Sequence, residues 1–498
     1  MIFNKYKSLL ILACAGVLMT SCNEDQWDLP VTEEIPLTSG TADLSTFVAI
    51  GNSLTAGYTD GALFMASQNN SFPNLLSQKF AMAGGGAFTQ PWTNDNIGGL
   101  LLGGFKIQEP RLYFTGAGLA RLDADPTNEI SNVIQGPYNN MGVPGAKSFH
   151  LLANGYGNVG GVPLGLANPY YARMASSPNA SMLEDARAMN ASFFSLWIGS
   201  NDVLSYSIAG GSGVNQTGNF DPSTYGQADI TDPNVFASVY NTLLDGLTSG
   251  GAQGVVMNIP NVSTIPYFTS VPYNPVPLDA ATAAQLNGAF AGYNAGLLQV
   301  ESFGLITAEE RMDRTITFVE GDNAVTIVDD YLTDLSGFGL PSYRQATDSD
   351  LIVLLSSTFI GTTVGGNPQL INGVSVPLED KWVLTSDEVT EVKMAVASYN
   401  QTIASLANTY GVAMIDANAI MQQLHDTGIS FDEFNMSSDL IFGMTFSLDG
   451  IHLTARGNAF MANEVMRAID QQYGSNFVQS GNLLKAADYT TFYPESLR

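Results

Sequence analysis

The stretch FVAIGNSLTAGYTDG, residues 47–61, carries the pattern on which the fold prediction depends. Its first four residues are apolar and partly β-branched, which predicts a short buried strand. Gly51 then permits a tight turn, and the residues that follow can open a helix. Ser53 is therefore predicted between a strand and a helix, where α/β proteins bind ligands and backbone N–H groups favour negative charge. A plain turn or helix-cap role for Asn52 and Ser53 explains this stretch equally well on its own.

Apolar strand candidates alternate with helical patterns along the chain, which predicts a parallel sheet wrapped by helices. The candidate strands are residues 47–50, 192–198, 254–259 and 412–415. Capping residues and periodicity predict helices over residues 73–82, 181–189, 233–247, 386–409 and 454–473.

Three regions interrupt this pattern and are predicted to be insertions. Residues 83–135 are rich in glycine and aromatic residues, and residues 205–230 form a polar loop. Residues 270–385 are mixed, with a helical piece at 280–297 and strand-like pieces at 316–318 and 325–328. Such segments either build an active-site wall or lid, or elaborate the surface.

The N-terminus has the pattern of an exported lipoprotein. Residues 1–21 contain two lysines, an apolar run too short to span a bilayer, and small residues before Cys22, which resembles a lipobox. Cys14 is a rival acceptor, but it leaves an apolar region of only about six residues. Because these are the only two cysteines, the mature chain has no disulfide and no thiolate metal site.

Residues 22–45 are polar and acidic, which predicts a flexible tether. The acidic start at 23–25 resembles the signal that sends lipoproteins to the cell surface in some Gram-negative bacteria, although a generic solvated linker has the same composition. We therefore expect a cell-envelope protein, held at the outer membrane by a lipid on Cys22 without a transmembrane helix.

The charge balance narrows the range of partners. The formal net charge of −28 offers no basic surface, which argues against nucleic acid as a partner. Only 13% of the residues are charged, which is not the composition of a disordered polyanion.

A serine hydroxyl is a weak nucleophile, so a catalytic role for Ser53 requires a base and a group that orients that base. The chain has three histidines. His452 follows Asp449 by three residues, just before the last predicted helix, and this spacing lets the carboxylate accept from Nδ1–H and leave Nε2 facing the serine. His150 and His425 lack such a partner and are interpreted as structural.

Two further stretches offer donors for an oxyanion. In NNMGVPGAKSF, the glycine at Gly145 lets the backbone present an N–H group to a ligand. In SLWIGSNDVL, Asn201 follows a predicted strand and is expected at the same sheet edge as Ser53. Each stretch alone is also explained as a turn or a helix cap.

The four blocks in this order resemble the SGNH (GDSL) hydrolase family, in particular its enlarged, exported lipoprotein branch. The resemblance implies a three-layer α/β/α sandwich with a central, mostly parallel sheet, flavodoxin-like, over residues 46–475, followed by a tail at 476–498. It also implies that Ser53 is the nucleophile, with Asp449 and His452 as orienting acid and base. The oxyanion hole would be formed by Ser53, Gly145 and Asn201. Asn52 departs from the family's usual aspartate.

The chemistry implied is two-step acyl transfer by a carboxylic ester hydrolase, with no cofactor and no metal. The substrate would be a lipid or small ester, or an acetyl group on a polysaccharide, and the apolar residues 87–92 favour lipid or aryl esters unless they are core packing. A surface binding lipoprotein on a degenerate hydrolase fold is the alternative that is not an enzyme, and it predicts damage to the catalytic set.

Overall fold

Five parallel strands form the centre of the fold in a computed structural model that describes residues 35–498. They lie in the order β5-β4-β3-β1-β2. Their bounds are β1 (Phe47–Gly51), β2 (Asn140–Gly142), β3 (Phe193–Trp197), β4 (Gln253–Met257) and β5 (Ala413–Ile415). Every residue of β1 and β3 is buried, because both faces of the sheet are covered.

Two groups of helices flank this sheet. The helices are α1 (Ser53–Ala56), α2 (Phe72–Met82), α3 (Met182–Ala188), α4 (Asn201–Ile208), α5 (Pro233–Thr248), α6 (Ser386–Tyr410), α7 (Ala417–Asp426) and α8 (Ala455–Tyr473). Helices α2 and α8 pack against each other, and α5 packs against both α3 and α6. On the α2 and α8 side, Phe193 contacts Phe80 and Tyr473. The predicted three-layer α/β sandwich with a parallel sheet is confirmed.

Apart from the 23-residue helix Ala280–Ser302, the remaining elements are short, and most of them lie in the predicted insertions. Further α-helices cover Met65–Asn69, Pro169–Ala172, Pro266–Thr269, Ala280–Ser302 and Ala308–Arg314. Paired short strands are Leu100–Leu102 with Phe105–Gln108, Leu112–Phe114 with Leu119–Arg121, Val276–Leu278 with Gly321–Asn323, Thr326–Val328 with Tyr343–Gln345, Leu351–Ile352 with Val383–Leu384, and Ile429–Phe431 with Phe434–Met436. Short 3₁₀ helices cover Ser148–Leu152, Val159–Leu164, Pro222–Thr224, Val262–Thr264, Ser336–Phe338, Leu354–Thr358, Val364–Gly366, Asp380–Trp382 and Ala486–Asp488.

The local sequence signals account for most element boundaries. Ser181 and Glu184 form the predicted capping box at the start of α3. Asp232 caps α5, and the Thr454 hydroxyl accepts from the Gly457 N–H at the start of α8. Each cap satisfies N–H groups that have no partner inside the helix.

Two strand predictions need correction. Strand β2 was not expected, because an edge strand of Asn, Met and Gly has no apolar run. Ile316 and Phe318 are buried, but residues 316–318 do not form the predicted strand. The side chains of Asn287 and Asn294, on the helix Ala280–Ser302, hydrogen-bond the backbone N–H and C=O groups of Phe318 and Ile316. The backbone is thus satisfied by side chains rather than by a neighbouring strand.

Residues 270–385 build a hydrophobic cluster separate from that of the sheet. Its buried members include Phe290, Ile316 and Ile327. Beside it, the buried Arg344 forms ion pairs with Asp329 and Asp350.

Residues outside the predicted domain, on both sides of it, also pack into the fold. Residues 37–498 form one compact unit, and Ala42 and Leu44 are buried in the main core. Near the C-terminus, the buried Arg111 donates to the backbone carbonyls of Tyr493, Pro494 and Leu497. The predicted signal peptide, Cys22 and the first part of the tether lie outside the described residues.

Candidate active site

Ser53 lies where strand β1 ends and helix α1 begins, as the opening stretch predicts. A Cβ on Gly51 would lie 2.3 Å from the Trp197 carbonyl oxygen, so only glycine fits between β1 and β3. Asn52 caps α1 by accepting from the Leu54 N–H at 3.1 Å, a role that an aspartate would also fill. In the described part of the chain, the Ser53 N–H donates to no acceptor.

His452 joins Ser53 to Asp449 through two contacts of equal length. Its Nε2 lies 2.9 Å from Ser53 Oγ, and its Nδ1 lies 2.9 Å from Asp449 Oδ2. A carboxylate accepts hydrogen bonds, so Nδ1 carries the proton, and Nε2 is free to accept from the serine hydroxyl. The three side chains thus have the geometry of a nucleophile, a base and an orienting acid.

The carboxylate of Asp449 is held by more than the histidine. Its Oδ1 accepts from the Ser447 hydroxyl and from the N–H groups of Ile451 and His452, and its Oδ2 also accepts from the Gly61 N–H. Burial raises the pKa of Asp449, but the charge and hydrogen bonds of His452, with the Ile451 N–H, outweigh burial and hold that pKa well below its usual range. Asp449 is therefore ionised in the folded protein at neutral pH.

Residues 59–61 connect the segment of Ser53 to the loop that carries Asp449 and His452. The Asp60 N–H donates to Ser447 Oγ, and Asp60 Oδ1 accepts from the Leu448 N–H, each at 3.0 Å. Thr59 donates to the Leu453 carbonyl. Burial raises the pKa of Asp60 to about 7; the Leu448 N–H opposes this shift and the charge of Asp449 adds to it.

The role of residues 59–61 was not predicted from the sequence. The local signal was an Asp-Gly pair, which by itself indicates a turn. Tyr58 was also missed: its ring lies 4.7 Å from the His452 ring, and its hydroxyl donates to the Gly61 carbonyl.

The two predicted oxyanion donors outside α1 lie on adjoining segments. Asn201 is the first residue of α4, and its Nδ2 donates to the Ala146 carbonyl at 2.9 Å. Gly145 has φ +81°, which favours glycine, and its N–H has no acceptor among residues 35–498. Asp202 holds the same segment by accepting from the N–H and hydroxyl of Ser148.

Strand β2, which precedes Gly145 in the chain, packs closely against helix α1, which begins at Ser53. A Cβ on Gly142 would lie 2.2 Å from the Ala56 backbone nitrogen. A glycine at this position therefore allows the contact between the last residue of β2 and α1.

A cavity that is partly open to solvent adjoins Ser53. Ser53, Asn201 and His452 line it, whereas Gly145 does not. Its apolar walls come from α7, α8, the hairpin 429–436, the loops 260–265 and 446–453, and single residues of α1, β3 and α4. None of its lining residues belongs to 83–135 or 270–385. Those two regions, including residues 87–92, therefore do not form the wall of this cavity.

The other two histidines lie apart from this geometry. His150 is half-buried, and its Nδ1 accepts from the Lys147 N–H. Burial, with a smaller effect of the Lys147 charge, lowers the pKa of His150 to about 3. His425 is exposed and pairs with Asp426.

Within the described residues, no three His, Cys, Asp or Glu side chains come together in a way that could hold a metal ion. Over the same residues, every helix is too short or too polar to cross a bilayer.

No family model matches the chain, and no curated protein matches it. Among solved structures, the chain is similar to the crystal structure of a "putative GDSL-like lipase" from Parabacteroides merdae. The match covers 87% of this chain and 98% of that chain, with 9% identical residues and a TM-score of 0.32. A likeness this distant carries no argument about function, so the family resemblance stays a prediction from the motifs.

Proposed function

We propose that the protein is a serine hydrolase that cleaves carboxylic esters through an acyl-enzyme. The observation that carries the proposal is the continuous contact from Asp449 through His452 to Ser53, with 2.9 Å at each step. It joins residues 399 positions apart, at the carboxyl edge of a parallel sheet. A degenerate binding protein would have no need of this complete set, which favours the enzyme over the binding lipoprotein.

The reaction has two steps, and His452 accepts and then donates a proton in each of them. Its Nε2 takes the proton of Ser53 Oγ as the oxygen attacks the ester carbonyl carbon, and it then gives that proton to the leaving alcohol. In the second step His452 takes a proton from water, the hydroxide attacks the acyl-enzyme, and the proton returns to Ser53 as the carboxylic acid leaves.

The negative charge that develops on the carbonyl oxygen needs donors already in place. The backbone N–H groups of Ser53 and Gly145 are available for this role because neither has an acceptor among the described residues. The amide of Asn201 has a second N–H beyond the one given to Ala146. Removing one such donor typically lowers the rate by about 10²–10³.

The proposal includes attachment to the cell envelope through a lipid on Cys22. It is supported by the sequence of residues 1–25 alone. Metabolic labelling with a fatty-acid analogue tests it: we expect the wild-type protein to take up the label and Cys22→Ala to lose it, and uptake by the variant would refute it.

Hydrolysis of p-nitrophenyl butyrate by wild-type protein and Ser53→Ala tests the enzymatic proposal. We expect the variant to lose activity by a factor on the order of 10⁶, as where a comparable nucleophile was removed. Ser195→Ala is the matched control, because Ser195 is buried in the neighbouring strand and its hydroxyl has no hydrogen-bond partner in the structure.

A second readout does not depend on the choice of ester. An alkyl fluorophosphonate should form a covalent adduct on Ser53, detected by mass spectrometry of the peptides. If the folded wild-type protein is neither labelled nor active on any ester, the proposal is wrong.

A further inference from the structure

The cavity beside Ser53 is polar at one end only. Five of its six polar lining residues belong to the catalytic end: Asn52 and Ser53 follow β1, Ser200 and Asn201 follow β3, and His452 is the base. The sixth is Thr445, whose hydroxyl donates to the Gly443 carbonyl. No Asp, Glu, Lys or Arg of the described chain lines the cavity.

The apolar part is built by residues that are themselves mostly buried. Met421 and Leu424 of α7, Met436 of the hairpin 429–436 and Met461 of α8 are each at most 5% exposed. Methionine and leucine offer no strong hydrogen-bonding group to a ligand. The side chains around this part of the cavity therefore fit a flexible hydrocarbon.

A second groove shares part of its lining with the cavity. Ile420, Ile429 and Phe460 line both the apolar cavity and an outer, polar groove. The outer groove is also lined by Glu464 and Arg467. The three shared residues thus separate the apolar cavity from a polar surface, and we call them the far wall.

We propose that this cavity binds the acyl chain of a fatty ester, and that the far wall limits the length of the chain. The proposal rests on the proposed function, since it places the ester carbonyl at Ser53 and the hydrocarbon towards α7. Each methylene removed from water favours binding, whereas a sugar hydroxyl in the same space would have no partner. An acetylated glycan would leave the apolar part of the cavity unused.

The test compares kcat/KM for p-nitrophenyl acetate, butyrate, hexanoate, octanoate and decanoate, below the concentrations at which they form micelles. Burial of one methylene corresponds to a factor of about three to four in kcat/KM, so hexanoate should exceed acetate by about 10²-fold. If Ser53-dependent activity is present but acetate is preferred or the profile is flat, the acyl-chain proposal is wrong and the ester hydrolase proposal stands.

Two half-buried residues of the far wall can be replaced to make the preferred acyl chain longer or shorter. Phe460→Ala should move the optimum to longer chains, and Ile420→Trp should move it to shorter ones. Phe303→Ala is the control, because Phe303 is exposed and lines neither cavity nor groove. An unchanged optimum in both wall variants would overturn the assignment of the far wall.

A binding measurement keeps the test independent of catalysis. Trp197 lines the cavity, so decanoate should change the tryptophan fluorescence of Ser53→Ala saturably, and acetate should not. Trp197→Phe in the same background should remove the signal. If decanoate gives no saturable change, the acyl-chain site is refuted, whether or not the protein hydrolyses esters.

Discussion

Replacing Asp449 by asparagine tests the base role of His452, because the change keeps the shape of the side chain and alters its hydrogen-bonding roles. Oδ1 of Asp449 accepts from Ser447, Ile451 and His452, whereas Oδ2 accepts from Gly61 and from His452 Nδ1. Asparagine has a single acceptor oxygen. The three donors at Oδ1 hold that oxygen in place, so the NH₂ group must occupy the position of Oδ2.

Two consequences follow from an NH₂ group at that position. It faces the Gly61 N–H, which now sits at 2.9 Å from another donor, and an unpaired buried group of this kind costs about 1–3 kcal/mol of stability. His452 can bond to it only through an unprotonated Nδ1, which puts the proton on Nε2 and leaves nothing to accept from Ser53. The same tautomer change in a comparable triad lowers kcat by about 10⁴, equivalent to about 5 kcal/mol of activation free energy.

The assay is p-nitrophenyl butyrate hydrolysis at pH 7.5 beside urea unfolding of the same preparations. Asp232→Asn is the matched control, because Asp232 is also buried, with Oδ1 accepting from two backbone N–H groups and Oδ2 from the Gly218 N–H. It should show a similar loss of stability with activity unchanged. If folded Asp449→Asn keeps more than a tenth of the wild-type activity, the tautomer of His452 is not set by Asp449 and the reasoning is refuted.

Three further changes test the surroundings of the triad. Asn201→Ala should lower kcat by about 10²–10³ with KM little changed; a loss below tenfold in a folded variant would remove Asn201 from the oxyanion hole. Burial raises the pKa of Asp60 from 3.8 to about 7, so the native state keeps this proton to higher pH than the unfolded state, and stability falls as pH rises from about 4 to 7. Asp60→Asn should therefore gain about 4 kcal/mol relative to wild type between pH 4 and pH 7.5 in urea unfolding, and a pH-independent difference would contradict the assigned pKa. Gly142→Ala should destabilise the protein by about 1–3 kcal/mol or more and reduce activity, because the new Cβ would lie 2.2 Å from the backbone of α1. Gly118→Ala is the control, because the space around Gly118 is open. Equal midpoints of urea unfolding for the two variants would contradict the close contact at Gly142.

Most of the sheet could be predicted from short-range signals. Four of its five strands are apolar runs, and caps such as Asp232 and Thr454 mark where helices begin. Strand β2 gave no such signal, because it is defined by a tertiary contact: Gly142 pairs with Gly51 of the neighbouring strand β1. Residues 316–318 gave a strand signal that was wrong, because helix asparagines, distant in sequence, satisfy their backbone.

The residues of the candidate site were likewise predicted from the sequence only in part. The sequence predicted Ser53, Asp449 and His452 because each lies in a short block whose spacing has a chemical meaning. It did not predict Asp60 or Ser447, since a single aspartate in a turn and a single serine carry no pattern. Their roles arise from hydrogen bonds across 387 and 388 positions of chain.

The sequence by itself determined the secondary structure around Ser53 and the types of side chain in each motif, because both depend on neighbours within a few residues. Only the tertiary structure decided that Ser53 and His452 lie 2.9 Å apart, and that residues 83–135 do not line the cavity beside Ser53. The physical reason is that a cavity is the space left between packed elements. Its shape depends on how elements distant in sequence pack against each other, and no local pattern of residues encodes that packing.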